Sequence, residues 1–162
     1  MANAFHPGRI VVGVDGSPSS VSALREGARL AKVLGARVDA VACWDFPSIW
    51  AAPYPLQGMD FRGEAEQVLR DVLEEAFPTG LPDNVTGRLV QAQVRAGLMD
   101  ASKDAAMLVV GRRGRSGFAG VGLGSVSSGC ISHASCPVLV VHAEPDVADI
   151  ESKAGSAPVQ QH

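Results

Sequence analysis

The sequence has few of the features that mark secreted or membrane-spanning proteins. Its 3 cysteines are an odd number without paired short spacing, which argues against both a disulfide framework and a zinc site. The longest apolar runs, such as residues 107–110 and 138–141, are far too short to span a bilayer. Residues 1–8 lack the basic and apolar regions of a signal peptide. We therefore expect a cytoplasmic protein that does not insert into a membrane.

The common phosphate-binding and hydrolase signatures are also absent. Lysine occurs only at positions 32, 103 and 153, so no G-x-x-x-x-G-K-[ST] loop exists. The dinucleotide fingerprint should follow the first strand, where the sequence reads Gly13-Val-Asp-Gly-Ser instead. A G-x-S-x-G nucleophile elbow is missing, which weakens a hydrolase interpretation. The net charge of -3 gives no overall attraction to nucleic acid, and we expect no nucleic-acid partner.

What the sequence does contain is an alternation of strand-like and helix-like segments. The chain of 162 residues is 46% hydrophobic and 19% charged, which is typical of one globular domain. Ser17 before Pro18 predicts a helix start, and Gly35 predicts its end. Apolar runs predict strands at 9–15, 37–43, 86–93, 106–111 and 137–142, and helical spacing predicts helices at 18–34, 61–76, 95–104 and 125–134.

Strands that alternate with helices predict an α/β fold. Right-handed crossovers favour a single Rossmann-like, doubly wound domain with a five-stranded parallel sheet in the order 3-2-1-4-5 and helices on both faces. The domain is predicted to occupy residues 8–142. Residues 143–162 are polar, small and without periodicity, so we expect a disordered tail there.

In this strand order the crevice for a ligand lies where strands one and four part, at their carboxyl ends. The two segments that follow these strands are Asp15-Gly16-Ser17 and the glycine-rich stretch from Gly111 to Ser127. We therefore expect these two segments to meet and to form the binding site.

The glycine-rich stretch has the chemistry of an anion site. Glycines allow close approach of the backbone and positive φ, which exposes consecutive N–H groups. The stretch ends in Gly124-Ser125 at the start of a helix, whose N-terminus favours phosphate. Ser125 and Ser127 add hydroxyl donors. The alternative, a flexible surface connection, is less favoured because the stretch follows strand four at the predicted crevice.

The spacing of these glycines resembles a known motif. Gly111, Gly114 and Gly124-Ser125 match the G-2x-G-9x-G-(S/T) ATP-binding pattern of the universal stress protein family. Ile10-Val-Val-Gly-Val-Asp15 and Cys136-Pro-Val-Leu-Val-Val141 also resemble that family. The similarity covers about residues 8 to 142, and it implies a universal-stress-protein-like nucleotide-binding domain.

The resemblance implies a site for ATP, with Mg²⁺ as a companion of the nucleotide beside Asp15. Asp15 would contact the ribose, and the backbone of Cys43 would meet adenine with an incidental thiol. The structural alternative for Asp15 is a turn or helix cap, and the two roles are compatible. The implied nucleotide-binding residues are Gly13, Val14, Asp15, Cys43, Val110, Gly111, Gly114, Gly124, Ser125, Val126 and Ser127.

Three arginines in the glycine-rich stretch allow two interpretations. Arg112, Arg113 and Arg115 are positioned either to reach a phosphate or an acidic partner, or to lie in solvent as exposed charge. The sequence does not decide between them.

The resemblance also implies a function without efficient catalysis. We find no general base, nucleophile or metal cluster, so we expect no catalytic residues. The resemblance implies a nucleotide-dependent stress or regulatory protein. At most it would hydrolyse ATP slowly or phosphorylate itself on Ser125 or Ser127. The implied partner is a second copy, through strand five at Pro137 to Val141. The alternatives are a cyclic AMP-binding or nucleotide-free partner-binding module, or an ATP-cleaving enzyme of the same superfamily.

Overall fold

Five parallel strands form the central sheet. In the computed structural model of the protein, which describes residues 8–48, 58–114 and 122–144, the strands are β1 Arg9–Gly13, β2 Arg37–Trp44, β3 Val85–Gln91, β4 Met107–Gly111 and β5 Val138–Val141. Their order is β3-β2-β1-β4-β5, and every neighbouring pair is parallel. The predicted order is confirmed, and it places β1 beside β4 at the switch point.

Helices cover both faces of this sheet and enclose two apolar cores. The helices of the described ranges are α1 Pro18–Leu34, α2 Phe61–Ala76, α3 Val94–Ala101 and α4 Ser125–His133. Residues of α1 and α2 pack on one face, and residues of α3 and α4 pack on the other. β1 and β4 lie between the two layers, so Val11, Val12, Leu108 and Val109 are completely buried.

The first helix begins and ends where the sequence predicts. The Ser17 hydroxyl accepts a hydrogen bond from the Ser20 N–H at 3.2 Å, and Pro18 occupies the first helical position. Gly35 ends the helix with φ 65°, a left-handed conformation that glycine adopts without strain. The predicted caps are confirmed, and they fix α1 against the end of β1.

Several predicted boundaries differ from the structure by one to three residues. β3 ends at Gln91, because Gln93 is already the N-cap of α3 and its carbonyl accepts from the Gly97 N–H at 2.8 Å. α3 ends at Ala101, and the hydroxyl of its C-cap Ser102 donates to the Met99 carbonyl. β1 ends at Gly13, before the turn at Asp15. The ends of β2, β4, β5 and α4 differ by one residue.

The segment that follows β5 first contacts α1. The Glu144 N–H donates to the Ser22 hydroxyl at 3.2 Å, and the Glu144 carboxylate lies 3.6 Å from Arg25. The rest of the predicted disordered tail, residues 145–162, lies outside the described residues, and its disorder stays a prediction. In the parts of the chain that the structure describes, no helix has the length and apolar character that crossing a bilayer requires.

Candidate functional site

The loops that follow β1 and β4 meet at the carboxyl end of the sheet, as the sequence predicts. The Ser19 hydroxyl, in the first turn of α1, donates to the Arg113 carbonyl at 2.5 Å. A Cβ atom added to Gly114 would lie 2.9 Å from the Asp15 Oδ2 atom. The carboxylate after β1 is therefore directly beside the backbone of the glycine-rich loop after β4.

A serine holds the Asp15 carboxylate in this position. Asp15 Oδ1 accepts from the Ser17 N–H at 2.9 Å and from the Ser17 hydroxyl at 2.5 Å. This is the turn geometry that the sequence offers as the structural alternative for Asp15. It engages Oδ1, and Oδ2 lies on the side of Gly114.

Two of the predicted site glycines are required by packing. A Cβ atom on Gly111 would lie 2.8 Å from the carbonyl carbon of Ser19, and a Cβ atom on Gly13 would lie 2.8 Å from the Leu98 side chain. Glycine at these strand ends lets α1 and α3 approach the sheet closely. The sequence pattern did not predict that Ser19 and Leu98 pack against these two glycines. The run Ser17-Pro-Ser-Ser20 was the available signal for the serine.

The N-terminus of α4 lies against the same loop. Gly124 is its N-cap, and its N–H donates to the Arg112 carbonyl at 2.9 Å. No side chain caps the helix. Within the described ranges, the first-turn N–H groups donate to no protein acceptor; they belong to Ser125, Val126 and Ser127. Three amides and the positive end of the helix dipole are thus left for an anion.

The two serine hydroxyls of this helix have different environments. The Ser127 side chain is buried, and its hydroxyl donates to the Gly111 carbonyl at 2.6 Å. Ser125 is exposed. The Ser127 hydroxyl therefore ties α4 to the end of β4, a role that the sequence did not distinguish from ligand binding. Of the two predicted phosphorylation positions, Ser125 is the accessible one.

The described glycines of the loop do not use the left-handed conformation. None of Gly111, Gly114, Gly122 and Gly124 has a positive φ, and Gly124 has φ -63°. The positive φ that glycine allows is therefore not used at these four positions; Gly117 and Gly120 lie outside the described residues. Because these glycines lack a side chain, neighbouring atoms can lie close to their backbone.

The remaining predicted site residues lie at the ends of strands around the crevice. Gly13 of β1 pairs with Val41 of β2, so Cys43 lies two residues beyond the end of β1. The Val14 and Val110 side chains are buried, so only their backbones can face a ligand. Burial raises the pKa of the Cys43 thiol to about 11, which keeps it protonated at neutral pH. The raised pKa is consistent with the expectation that the Cys43 thiol takes no part in ligand binding.

The arginines of the loop contribute backbone contacts. The Arg112 carbonyl accepts from Gly124, and the Arg113 carbonyl accepts from Ser19. Arg115 lies outside the described residues. The choice between phosphate contact and solvated charge stays open for all three side chains.

The described part of the chain offers no dedicated metal cage. No group of three or more His, Cys, Asp or Glu residues is close enough to hold an ion there. The fold brings the Asp15 carboxylate to the crevice, where it accepts from the Ser17 N–H and lies beside the backbone of Gly114. The arrangement suits the binding of a phosphorylated ligand.

Comparison with known proteins agrees with this geometry. The family model described as "Universal stress protein family" matches residues 7–142. Universal stress protein Rv2623 of Mycobacterium tuberculosis is 36% identical over 148 residues, which are 85% of this chain and 48% of that protein. The chain spans about half the length of the curated relatives that it matches.

Solved structures have the same fold. A universal stress protein crystallised in complex with cAMP is 27% identical, with a TM-score of 0.62 over 85% of this chain and 98% of that chain. Universal stress protein UspA from Lactobacillus plantarum is 22% identical, with a TM-score of 0.66 over 83% of this chain and 97% of that chain. The second likeness is one of fold alone.

Proposed function

Since the chain belongs to the universal stress protein family, we propose that it binds an adenine nucleotide, in the first place ATP, in the crevice between β1 and β4. One observation carries the proposal: Asp15 Oδ2 lies beside the backbone of Gly114, so the two predicted halves of the site are in contact. A carboxylate and an amide cradle at a switch point match the ribose and the phosphates of one ligand.

The phosphates bind at the N-terminus of α4. The three first-turn amides and the helix dipole favour negative charge, and Ser125 adds an exposed hydroxyl. Gly124 supports this placement. Its φ is ordinary, and a Cβ atom there would lie 3.4 Å from the nearest protein atom, so packing does not require glycine. A ligand that occupies the space beside Gly124 would explain why glycine stands at this position.

The adenosine part binds along the strand ends. Asp15 accepts hydrogen bonds from the ribose hydroxyls, and the backbone at Cys43 borders the base. Because the Val14 and Val110 side chains are buried, these residues and Gly13 contribute only backbone atoms. Gly111, Gly114, Val126 and Ser127 complete the cradle through their N–H groups.

Bound ATP supplies a strongly negative phosphate chain, together with Mg²⁺ near Asp15. The chain itself provides binding groups and no efficient catalytic group, so we propose a nucleotide-dependent stress or regulatory protein of the cytoplasm. Transfer of the γ-phosphate to the Ser125 hydroxyl, which releases ADP and a proton, is the covalent step that the accessible serine permits.

Cyclic AMP is the second candidate ligand. The solved relative with 27% identity carries cAMP, which shares the adenosine and the phosphate charge with ATP. Backbone amides recognise phosphate without counting phosphates. The identity of the nucleotide is therefore a matter for competition experiments.

Titration of the purified chain with ATP, with AMP and cyclic AMP as competitors, tests the proposal. We expect saturable ATP binding that is lost in Asp15→Ala and Gly124→Val and retained in the control Gly122→Val. A Cβ atom at Gly122 meets nothing within 4 Å, so the control adds bulk without filling the cradle. Circular dichroism verifies that each variant folds. Wild-type protein that binds none of the three nucleotides would refute the proposal.

The proposed assembly is a homodimer through β5. This strand lies at the edge of the sheet, is apolar, and is half-buried along its whole length. The Pro137 and Val141 carbonyls accept from β4, so the alternation of a strand turns the backbone groups of Val138 and Val140 away from β4. These groups are available for pairing with a second copy.

A further inference from the structure

A basic groove lies along α1, away from the proposed nucleotide site. It has a volume of about 620 Å³ and runs between α1 and the chain that follows α2. The α1 side contributes Arg25, Arg29 and Lys32, together with the apolar surface of Ala28. Phe77 and Pro82 form the opposite wall. None of the residues that line the groove is acidic.

The positive charge of the groove is only partly compensated by the described residues. Glu26 binds Arg29 through two hydrogen bonds. Arg25 donates to the Glu75 carbonyl at 2.9 Å and lies 3.6 Å from the Glu144 carboxylate. Lys32 takes part in none of the ion pairs found in the described ranges. Among the described residues, the Lys32 end of the groove therefore holds a cation without an ion-pair partner.

The chain after β5 reaches α1 beside the Arg25 end of this groove. Glu144 is attached to α1 through Ser22 and Arg25, and Arg25 also lines the groove. The next residues, 145–151, read Pro-Asp-Val-Ala-Asp-Ile-Glu. They carry three carboxylates and no cation, together with the apolar side chains of Val147 and Ile150. Their charge and their apolar content both complement the groove.

The distances also fit. From Ser22 to Lys32 the helix rises about 15 Å, at 1.5 Å per residue. An extended chain from Glu144 to Glu151 spans up to about 23 Å. We propose that residues 145–151, unlike the rest of the tail predicted to be disordered, bind in the groove of their own chain. Their acidic side chains lie against Arg29 and Lys32, and Val147 and Ile150 lie against Ala28, Phe77 and Pro82. This intramolecular strap covers α1 without entering the nucleotide crevice.

The backbone dynamics of the full-length, ¹⁵N-labelled chain test the strap. The heteronuclear NOE of residues 146–151 is compared with that of residues 155–161, which serve as an internal reference. We expect higher values for 146–151 at 0.1 M salt and a loss of the difference at 1 M, because the Debye length falls from about 10 Å to about 3 Å. Equal values at both salt concentrations would overturn the proposal.

A charge swap tests the contact with Lys32. We expect Lys32→Glu and Glu151→Lys each to lower the NOE of residues 149–151, and the double variant to restore it. Lys103→Glu, at an exposed lysine outside the groove, is the control and should change nothing. Failure of the double variant to restore the signal would overturn the assignment. Protection that grows with protein concentration would also overturn it, because the segment would then bind a second copy.

Discussion

The glycines of the site illustrate how one residue type serves two purposes. At Gly111 and Gly13 a methyl group would collide with Ser19 and Leu98, so glycine is a packing requirement there. At Gly124 neither φ nor packing demands glycine. In the sequence, Gly111 and Gly124 belong to one spaced motif and Gly13 ends the first predicted strand, and nothing there separates their purposes. Only the neighbouring atoms show which glycines keep the fold tight and which one packing does not require.

The burial of Cys43 predicts slow thiol chemistry. With a pKa of about 11, roughly one thiol in a thousand is ionised at pH 8, against about a quarter of free thiols with a pKa near 8.5. Iodoacetamide should therefore alkylate Cys43 on the order of a hundredfold more slowly than the unfolded chain. Peptide mass spectrometry measures this rate, with protein in urea at the same pH as the control.

The same pKa has a consequence for stability. The folded state keeps the Cys43 proton where the unfolded state has lost it. This contribution to stability is therefore complete below the unfolded pKa of about 8.5, and it is lost as the pH rises towards 11. Alkylation of folded Cys43 at pH 8 as fast as in urea would contradict both statements.

At the scale of elements, the start of α1 has a second role besides capping. Ser17 accepts from Ser20 and donates to Asp15, so it joins the helix cap to the proposed ribose contact. The start of α2 is capped in a similar way, since Asp60 accepts from the Gly63 N–H at 2.9 Å, but it makes no contact with the crevice. Asp60 therefore serves as a control for Ser17, because each residue caps a helix.

We expect Ser17→Ala and Asp60→Ala each to lower the free energy of unfolding by about 1 kcal/mol. Only Ser17→Ala should also weaken nucleotide binding, by a factor of roughly three to ten, because one hydrogen bond that orients Asp15 is lost. Urea denaturation and nucleotide titration on the same samples measure both effects. Equal binding by the two variants would show that Asp15 does not need this orientation.

α3 shows why element boundaries were hard to predict. Gly97 lowers the intrinsic helix propensity of this segment. In the fold, a Cβ atom on Gly97 would lie 2.7 Å from the Cys43 sulfur, so glycine lets α3 pack closely on β2. Tertiary contact thus outweighs local propensity, and the sequence around Gly97 does not reveal that contact.

At the scale of the whole molecule, the proposed dimer predicts the mass of the protein in solution. Light scattering should give twice the chain mass of 16.8 kDa. Val140→Pro should give monomers with the sheet intact, because the Val140 N–H points away from β4 and edge strands accept proline on that side. Val33→Lys, at an exposed position on α1, should remain dimeric. A Val140→Pro protein that is folded and still dimeric would exclude β5 as the interface.

The sequence by itself determined the fold class, the strand order and the positions of the two site segments. Apolar β-branched runs alternate with capped helical segments, and right-handed crossovers leave few ways to connect them. It also determined that Asp15 and the glycine-rich stretch follow the two strands that part at the crevice. These are local or topological properties, which a single chain encodes in its pattern.

The tertiary structure alone decided which contacts the predicted site residues and their neighbours make. It assigned the Ser127 hydroxyl to the Gly111 carbonyl, left Ser125 exposed, and placed Ser19 against Arg113. These contacts join residues up to 94 positions apart. Hydrogen bonding and close packing depend on distances of a few ångströms, and the sequence does not contain such distances until the helices and strands have come together.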